Sequence, residues 1–153
     1  MYLYNIRAAL EQLEHIPDSG GSVLILLTSK ELKQGAGVSG LEHILCHTPS
    51  AQDARVCKAE SRHNCLCGTI VTPRHTKAHT PIAFGYLLTE GRVVLCDDTG
   101  TARSAIQHLR KETAQRELGI GGFFYGFLEL LIAKDLHPLQ GLEDRMNQME
   151  EQV

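Results

Sequence analysis

Thiols and imidazoles gather in the stretch HNCLC, where His63, Cys65 and Cys67 alternate with single residues, and two more histidines follow in HTKAH at His75 and His79. Thiolate sulfur and imidazole nitrogen are the usual ligands of zinc. On an extended strand positions 63, 65 and 67 fall on one face, so these three residues form a candidate Zn2+ site. Structural zinc sites usually leave roughly two to four residues between paired cysteines. The tighter C-x-C spacing therefore also fits two small core residues, since free cysteine packs as a hydrophobe.

Other groups of reactive residues have plainer explanations. HTKAH spaces its histidines as zinc proteases do, but it lacks the glutamate after the first histidine that would act as general base. It also lies between Pro73 and Pro81, which predicts a solvated loop. In LCDDTGT the order Asp97-Asp98-Thr99 differs from the spaced aspartates of phosphoryl-transfer enzymes and suits the capping of a helix that starts near Ala102. Gly119, Gly121 and Gly122 precede a helix with no strand before them, as a helix-to-helix turn would and a phosphate cradle would not. Cys46 and His47 are sequence neighbours, which on a helix do not face each other. No set of residues here argues for an enzyme.

The C-terminal stretch carries Asp135, Glu143, Asp144, Glu150 and Glu151 against Lys134 and Arg145. This is a solvated face, or one that presents carboxylates to a partner helix and shares a hard divalent cation such as Mg2+ with it. Beside it, Leu139, Leu142, Met146, Met149 and Val153 alternate steps of three and four, the pattern of a coiled-coil seam that needs another surface. No stop signal appears before Val153, so the helix reads as cut rather than finished.

The elements that must position these residues follow from pattern. Met1–Ile6 predicts a short strand, and about Ala8 to His15 a helix with Leu10 and Leu13 on one face, closed by Pro17. SVLILLT predicts a strand covered on both faces. Ser29 to Lys33 reads as a helix start broken by Gly35–Gly40, and LEHILCH as a helix with Leu41, Ile44 and Leu45 inward. RVCKAESRHNCLCGTIVTP predicts one or two strands ending at Pro73. IAFGYLLT and RVVLCDD flank Glu90-Gly91, a hairpin signal. Residues 101–118 predict an amphipathic helix with Ile106 and Leu109 inward, and the chain from Gly122 is helical nearly throughout. Together these elements predict an α/β layered domain over 1–121, running into helices over 122–153 that belong to the same domain.

Composition narrows the function classes. A chain of 153 residues, 42% hydrophobic and 22% charged, fits one globular domain. A formal charge of −3 provides no electrostatic footprint for nucleic acid. Five irregularly spaced cysteines point to a reducing compartment, and no secretory leader opens the chain. The longest apolar run, residues 122–133, contains Glu129 and falls short of the ~20 residues of a membrane span, which predicts a soluble chain.

The order of these segments resembles the cytosolic domain of CorA-type divalent cation transporters, including the ZntB branch. GGFFYGFLELLIAKDLHPLQGLEDRMNQMEEQV resembles the helices that lead into that family's acidic stalk, and AFGYLLTEGRVVLCDD its hairpin. TARSAIQHLRKE, GLEHILCH and CKAESRHNCLCGTIVTP resemble the adjoining helix, the Leu-Glu-Asp-Ile-Leu segment and the strand after it. The resemblance implies an α/β/α layered domain with a central mixed sheet and a long C-terminal stalk helix. It also implies a homo-oligomer, a pentamer in the intact transporter, on the cytoplasmic side of the membrane. The membrane would be reached only through a segment beyond Val153, because the family's Gly-Met-Asn pore motif is absent here. The family is thought to sense Mg2+ through acidic residues between subunits. That implies Glu42, His43 and Asp135 as regulatory cation ligands, with His43 standing where the family has aspartate. An imidazole at that position suits Zn2+ or another transition metal better than Mg2+. The alternatives to a regulatory domain are a stand-alone zinc-binding protein and a metal-free oligomerising domain.

Overall fold

A computed structural model describes residues 1–17, 20–35, 40–72, 82–112 and 118–151; in the last helix beyond Ala133, the side chains described are those of Met146, Gln148 and Met149. The strands are β1 (Tyr2–Asn5), β2 (Glu11–Leu13), β3 (Val23–Leu27), β4 (Lys58–Arg62), β5 (Cys65–Val71), β6 (Ala83–Leu88) and β7 (Arg92–Asp97). The helices are α1 (Ser29–Lys33), α2 (Glu42–Leu45), α3 (Thr101–Glu112) and α4 (Ile120–Glu151), with a 3-10 turn at Ala51–Asp53. The strands form a single sheet in the order β2-β1-β3-β7-β6-β5-β4. β3 and β7 run parallel and every other pair is antiparallel, so the sheet is mixed.

Alternation along the strands sends side chains to two separate cores. Leu24 and Leu26 of β3, Val93 and Leu95 of β7, and Phe84 and Tyr86 of β6 meet Ile106 and Leu109 of α3 and Phe123, Phe127 and Leu131 of α4. On the other face Val23, Ile25, Leu27, Val94, Cys96 and Leu87 meet Leu41, Ile44 and Leu45 of α2 and Ala51 of the 3-10 turn. This is the α/β/α layering that the resemblance implied, with β3 buried along its whole length. Phe84 meets Phe127 edge to face with ring centroids 5.6 Å apart, an arrangement that adds to simple burial.

The segment from Ala8 to His15 is a correction. It is not a helix: Ala9 and Leu10 take left-handed φ values of 50° and 57°, the Glu11 amide donates to the Ala8 carbonyl, and the chain reverses into β2. Leu10 enters the core shared with α3 and α4, whereas Leu13 packs against the opposite core. A helix would have kept both on one side. Pairing of Glu11–Leu13 with Leu3–Asn5 satisfies the outer backbone groups of β1, an advantage that local periodicity does not reveal.

The other elements form near where pattern placed them, except that α4 starts at Ile120 and takes in Gly121 and Gly122, which were expected in a turn before the helix. β1 and β3 are strands, α2 carries Leu41, Ile44 and Leu45 inward, and β4 and β5 make the two-strand option for residues 55–73. Leu88 pairs with Val93, and the Thr89 amide donates to the Arg92 carbonyl, closing the hairpin at Glu90-Gly91. α1 begins with a reciprocal cap. Thr28 Oγ1 accepts from the Glu31 amide at 3.2 Å, and Glu31 Oε2 accepts from the Thr28 amide at 2.8 Å.

The thin layer lies very close to the sheet at Gly85 of β6. A Cβ built there would stand 1.7 Å from the Pro49 carbonyl oxygen, so only glycine admits the loop between α2 and the 3-10 turn. At Gly91 the nearest atom would be 4.0 Å away. We expect Gly85→Ala to lower unfolding free energy by about 1–3 kcal/mol, the usual range for overpacking. Gly91→Ala should stay within about 0.5 kcal/mol of the parent. Urea denaturation of the two variants checks both values, and equal midpoints would refute the close approach.

Candidate functional site

At the ends of the parallel pair β3–β7, the polar residues of LCDDTGT act as caps. Asp97 is buried; its Oδ2 accepts from the Ala102 amide at 2.8 Å and its Oδ1 from the Thr99 amide at 2.8 Å. Asp98, the next residue, faces the other layer, where its carboxylate accepts from the Ser29 amide at 2.7 Å and the Ser29 hydroxyl at 2.6 Å. The two carboxylates therefore anchor the starts of α3 and α1, and the capping role expected for LCDDTGT is what the structure contains.

A groove of about 700 Å3 opens on the α2 side, at the edge farthest from these caps. α2 and the turn after it contribute His43 and His47, the turn between β4 and β5 contributes His63 and Asn64, and β4 and β5 add Arg62 and Cys65. Ile44 and Leu87 are the buried apolar residues among its lining. Arg62 Nη1 lies 3.3 Å from His47 Nδ1, and Arg62 Nη2 donates to Glu60 Oε2 at 3.1 Å. A guanidinium can only donate, so His47 Nδ1 accepts and the ring hydrogen sits on Nε2. Hydrogen bonds from Lys58 and then Arg62 hold the Glu60 carboxyl below the ordinary carboxylate range.

The residues expected to bind zinc are arranged differently from the strand placement. His63 lies in the turn rather than on a strand and is exposed, Cys65 is half-buried, and Cys67 is buried in the α2-side core. Burial pushes the Cys67 thiol up, partly countered by the Arg62 charge. Burial also raises the Cys96 thiol, against hydrogen bonds from Ser29 and the Ala51 amide. Among the described residues no three His, Cys, Asp or Glu side chains come together so as to hold a metal ion. His75 and His79 lie outside the described residues.

The residues implied as regulatory cation ligands are divided by the sheet. Glu42 and His43 are exposed on α2, and Glu42 Oε2 accepts from the Gly40 amide at 2.9 Å. Asp135 lies on α4, which packs on the opposite face, and its side chain is outside the described residues. α4 also carries exposed apolar residues N-terminal to the Leu139–Val153 seam. Tyr125 and Ile132 are 68% and 55% exposed, and Met146 and Met149 are 58% and 61% exposed. Tyr125, Ile132, Leu139, Met146 and Val153 are seven residues apart in sequence, so the seam begins two heptads earlier than Leu139. The signal was present in the 7-residue repeat but hidden within the apolar run 122–133.

No family model and no curated protein sequence matches the chain. Solved structures do. The soluble domain of CorA from Methanocaldococcus jannaschii superposes with a TM-score of 0.64 at 15% identity, over 99% of this chain and 63% of that one. The ZntB cytoplasmic domain from Vibrio parahaemolyticus gives 0.65 at 12% identity, over 97% and 64%. The full-length CmaX protein gives 0.66 at 12% identity, over 99% and 50%. The fold of this chain is that of the CorA and ZntB soluble domains. This chain spans between 50% and 64% of the length of these structures. Among its described residues no helix is long and apolar enough to cross a membrane.

Thiol reactivity tests the site geometry directly. Cys46 and Cys57 are exposed, while Cys67 and Cys96 are buried with raised thiol pKa values. Iodoacetamide at pH 8 should modify Cys46 and Cys57 first, with Cys67 and Cys96 at least ~100-fold slower until denaturant is added, because the thiolate is the nucleophile. Mass spectrometry of timed samples reads the order. Labelling of Cys67 as fast as Cys46 would contradict its place in the core.

Proposed function

We propose that this chain is the cytosolic regulatory domain of a CorA-like divalent cation transporter and that it assembles with copies of itself through α4. The observation that carries this reading is the exposed seam on α4, within a chain that takes the CorA soluble-domain fold over 99% of its length. An exposed row of Tyr125, Ile132, Met146 and Met149 is costly in water, and burying each such side chain yields about 1.5–3 kcal/mol. Copies of the same helix are the natural cover for a heptad row. The pentamer of the family, the cytoplasmic side of the membrane and a pore supplied by sequence beyond Val153 belong to the same proposal.

Regulation would then lie between chains. Glu42 and His43 on one face of the sheet and Asp135 on the other can share a cation only if they come from different subunits. Asp135 is in phase with Leu142 and Met149, seven and fourteen residues on, which puts a carboxylate in the apolar row. A bound cation would offset the desolvation and mutual repulsion of such carboxylates and hold the ring of domains closed, and its loss would shift the population toward a looser ring. With His43 in the set, Zn2+ or another transition metal fits as well as Mg2+.

Sedimentation of the chain, with and without Mg2+ or Zn2+, tests the proposal. The parent should self-associate in a concentration-dependent way. Ile132→Asp combined with Met146→Asp should weaken association at least ~10-fold, a change of about 1.4 kcal/mol, with the circular dichroism of the sheet unchanged. Glu42→Ala with Asp135→Ala should abolish any divalent dependence; if that dependence survives, these ligands are wrong even where the seam is right.

A further inference from the structure

We infer that the groove between α2, the β4–β5 turn and the β6–β7 turn binds a phosphate-type anion, the charge held by Arg62, His47 and His63. This assignment does not depend on the transporter reading. At about 700 Å3 the groove has the size of a small-molecule site, and it combines an apolar part, Ile44 and Leu87, with donors contributed by separate elements. Its charged centre decides the sign of the ligand. Arg62 carries a permanent positive charge beside His47, which repels a metal ion at that position, and no three potential ligands converge on a metal position among the described residues. For an anion the same arrangement is favourable. The guanidinium is a planar fork suited to phosphate, and it has engaged one N–H with His47 and one with Glu60, leaving its other N–H groups for a ligand.

The contact between Arg62 and His47 fixes how the second donor is presented. With Nδ1 accepting from Arg62, His47 carries its hydrogen on Nε2, where it can be donated. His63 and Asn64 stand in the turn that immediately follows Arg62, so the β4–β5 hairpin supplies three polar side chains from consecutive positions. Glu90, at the β6–β7 turn, is the one carboxylate lining the groove, and Glu60 is already held by Lys58 and Arg62. Two sources have the right chemistry: free inorganic phosphate, or a phosphate ester whose body would rest against Ile44 and Leu87.

The test is a titration of the 15N-labelled chain with inorganic phosphate in one arm and phenyl phosphate in the other, with sodium chloride added to keep ionic strength constant. Saturable amide shifts are expected at residues 43–47, 62–65 and 89–91. Arg62→Gln should weaken binding at least ~10-fold, and Arg62→Lys should restore only part of it, because lysine returns the charge without the fork. His63→Ala should weaken it by about 10–100-fold, the loss of one hydrogen bond to a charged group. Arg103, which stacks on Tyr2 beside α3, serves as the control, and Arg103→Gln should leave binding unchanged. Phenyl phosphate binding ~10-fold tighter would assign the groove to a phosphate ester, and equal affinities would assign it to free phosphate. Shifts that do not saturate, or an equal response to Arg62→Gln and Arg103→Gln, would overturn the inference.

Discussion

Everything in this domain hangs on the parallel pairing of β3 with β7. Val23–Leu27 runs beside Arg92–Cys96, and the five residues of β3 are all buried, alternately in one core and the other. A parallel pair needs a crossover connection, and here residues between the two strands form α1, α2 and the antiparallel strands β4, β5 and β6 before the chain returns as β7. The consecutive aspartates at the end of that returning strand then point to opposite layers. Asp97 fixes the start of α3 and Asp98 the start of α1. Strand alternation thus lets two neighbouring carboxylates set the positions of helices on both faces of the sheet.

The two layers are unequal, and the candidate sites follow from that inequality. On one face α3 and α4 contribute long helices whose inward residues include Phe123, Phe127 and Leu131. On the other face the cover is α2, four residues long, α1, five residues long, and a 3-10 turn. So short a cover leaves the sheet open toward the β4–β5 turn. The open part is where His43, His47, Arg62 and His63 meet. At the closed part the Pro49 carbonyl rests on Gly85 and the Ala51 amide donates to Cys96 Sγ at 3.4 Å. Packing is tight near the caps and loosens toward the hairpin turn.

Much of the fold could be read from local pattern because its elements obey local rules. SVLILLT is apolar on both faces because both faces are covered. Glu90-Gly91 separates two apolar runs because a tight turn does. Leu41, Ile44 and Leu45 share a helical face and are buried together. The layered mixed sheet itself came from the resemblance of segment order to a known family, since pairing order is not encoded in any window of sequence. Misreading of residues 8–15 has the same root. Leu10 and Leu13 fit a helical spacing, but the backbone of β1 needed a second neighbour, and that long-range demand decided the outcome. The groove was invisible for a similar reason: His43 and His47 are about twenty residues from Arg62 and His63 and meet only through the sheet. The capping role of Asp97 was legible because a cap is local. The destination of Asp98, at the start of α1, was not.

α4 shows why a single helix connects the two halves of the proposed function. Its first turns have an inward stripe, Phe123, Phe127 and Leu131, and an outward one, Tyr125 and Ile132, so the helix is apolar on two sides. Beyond Leu131 none of its described side chains is buried, yet the helix continues to Glu151 through Pro138 and Gly141. Relative to alanine those two residues cost about 3 and about 1 kcal/mol in a helix interior. An isolated helix with this burden would be marginal in water, where even good helix formers need more than ~12–15 residues. In the proposed assembly, burial of the heptad row against other copies would be the term that offsets it. Under that proposal, association and the order of the outer helix would be one equilibrium, and a cation that changed the first would change the second.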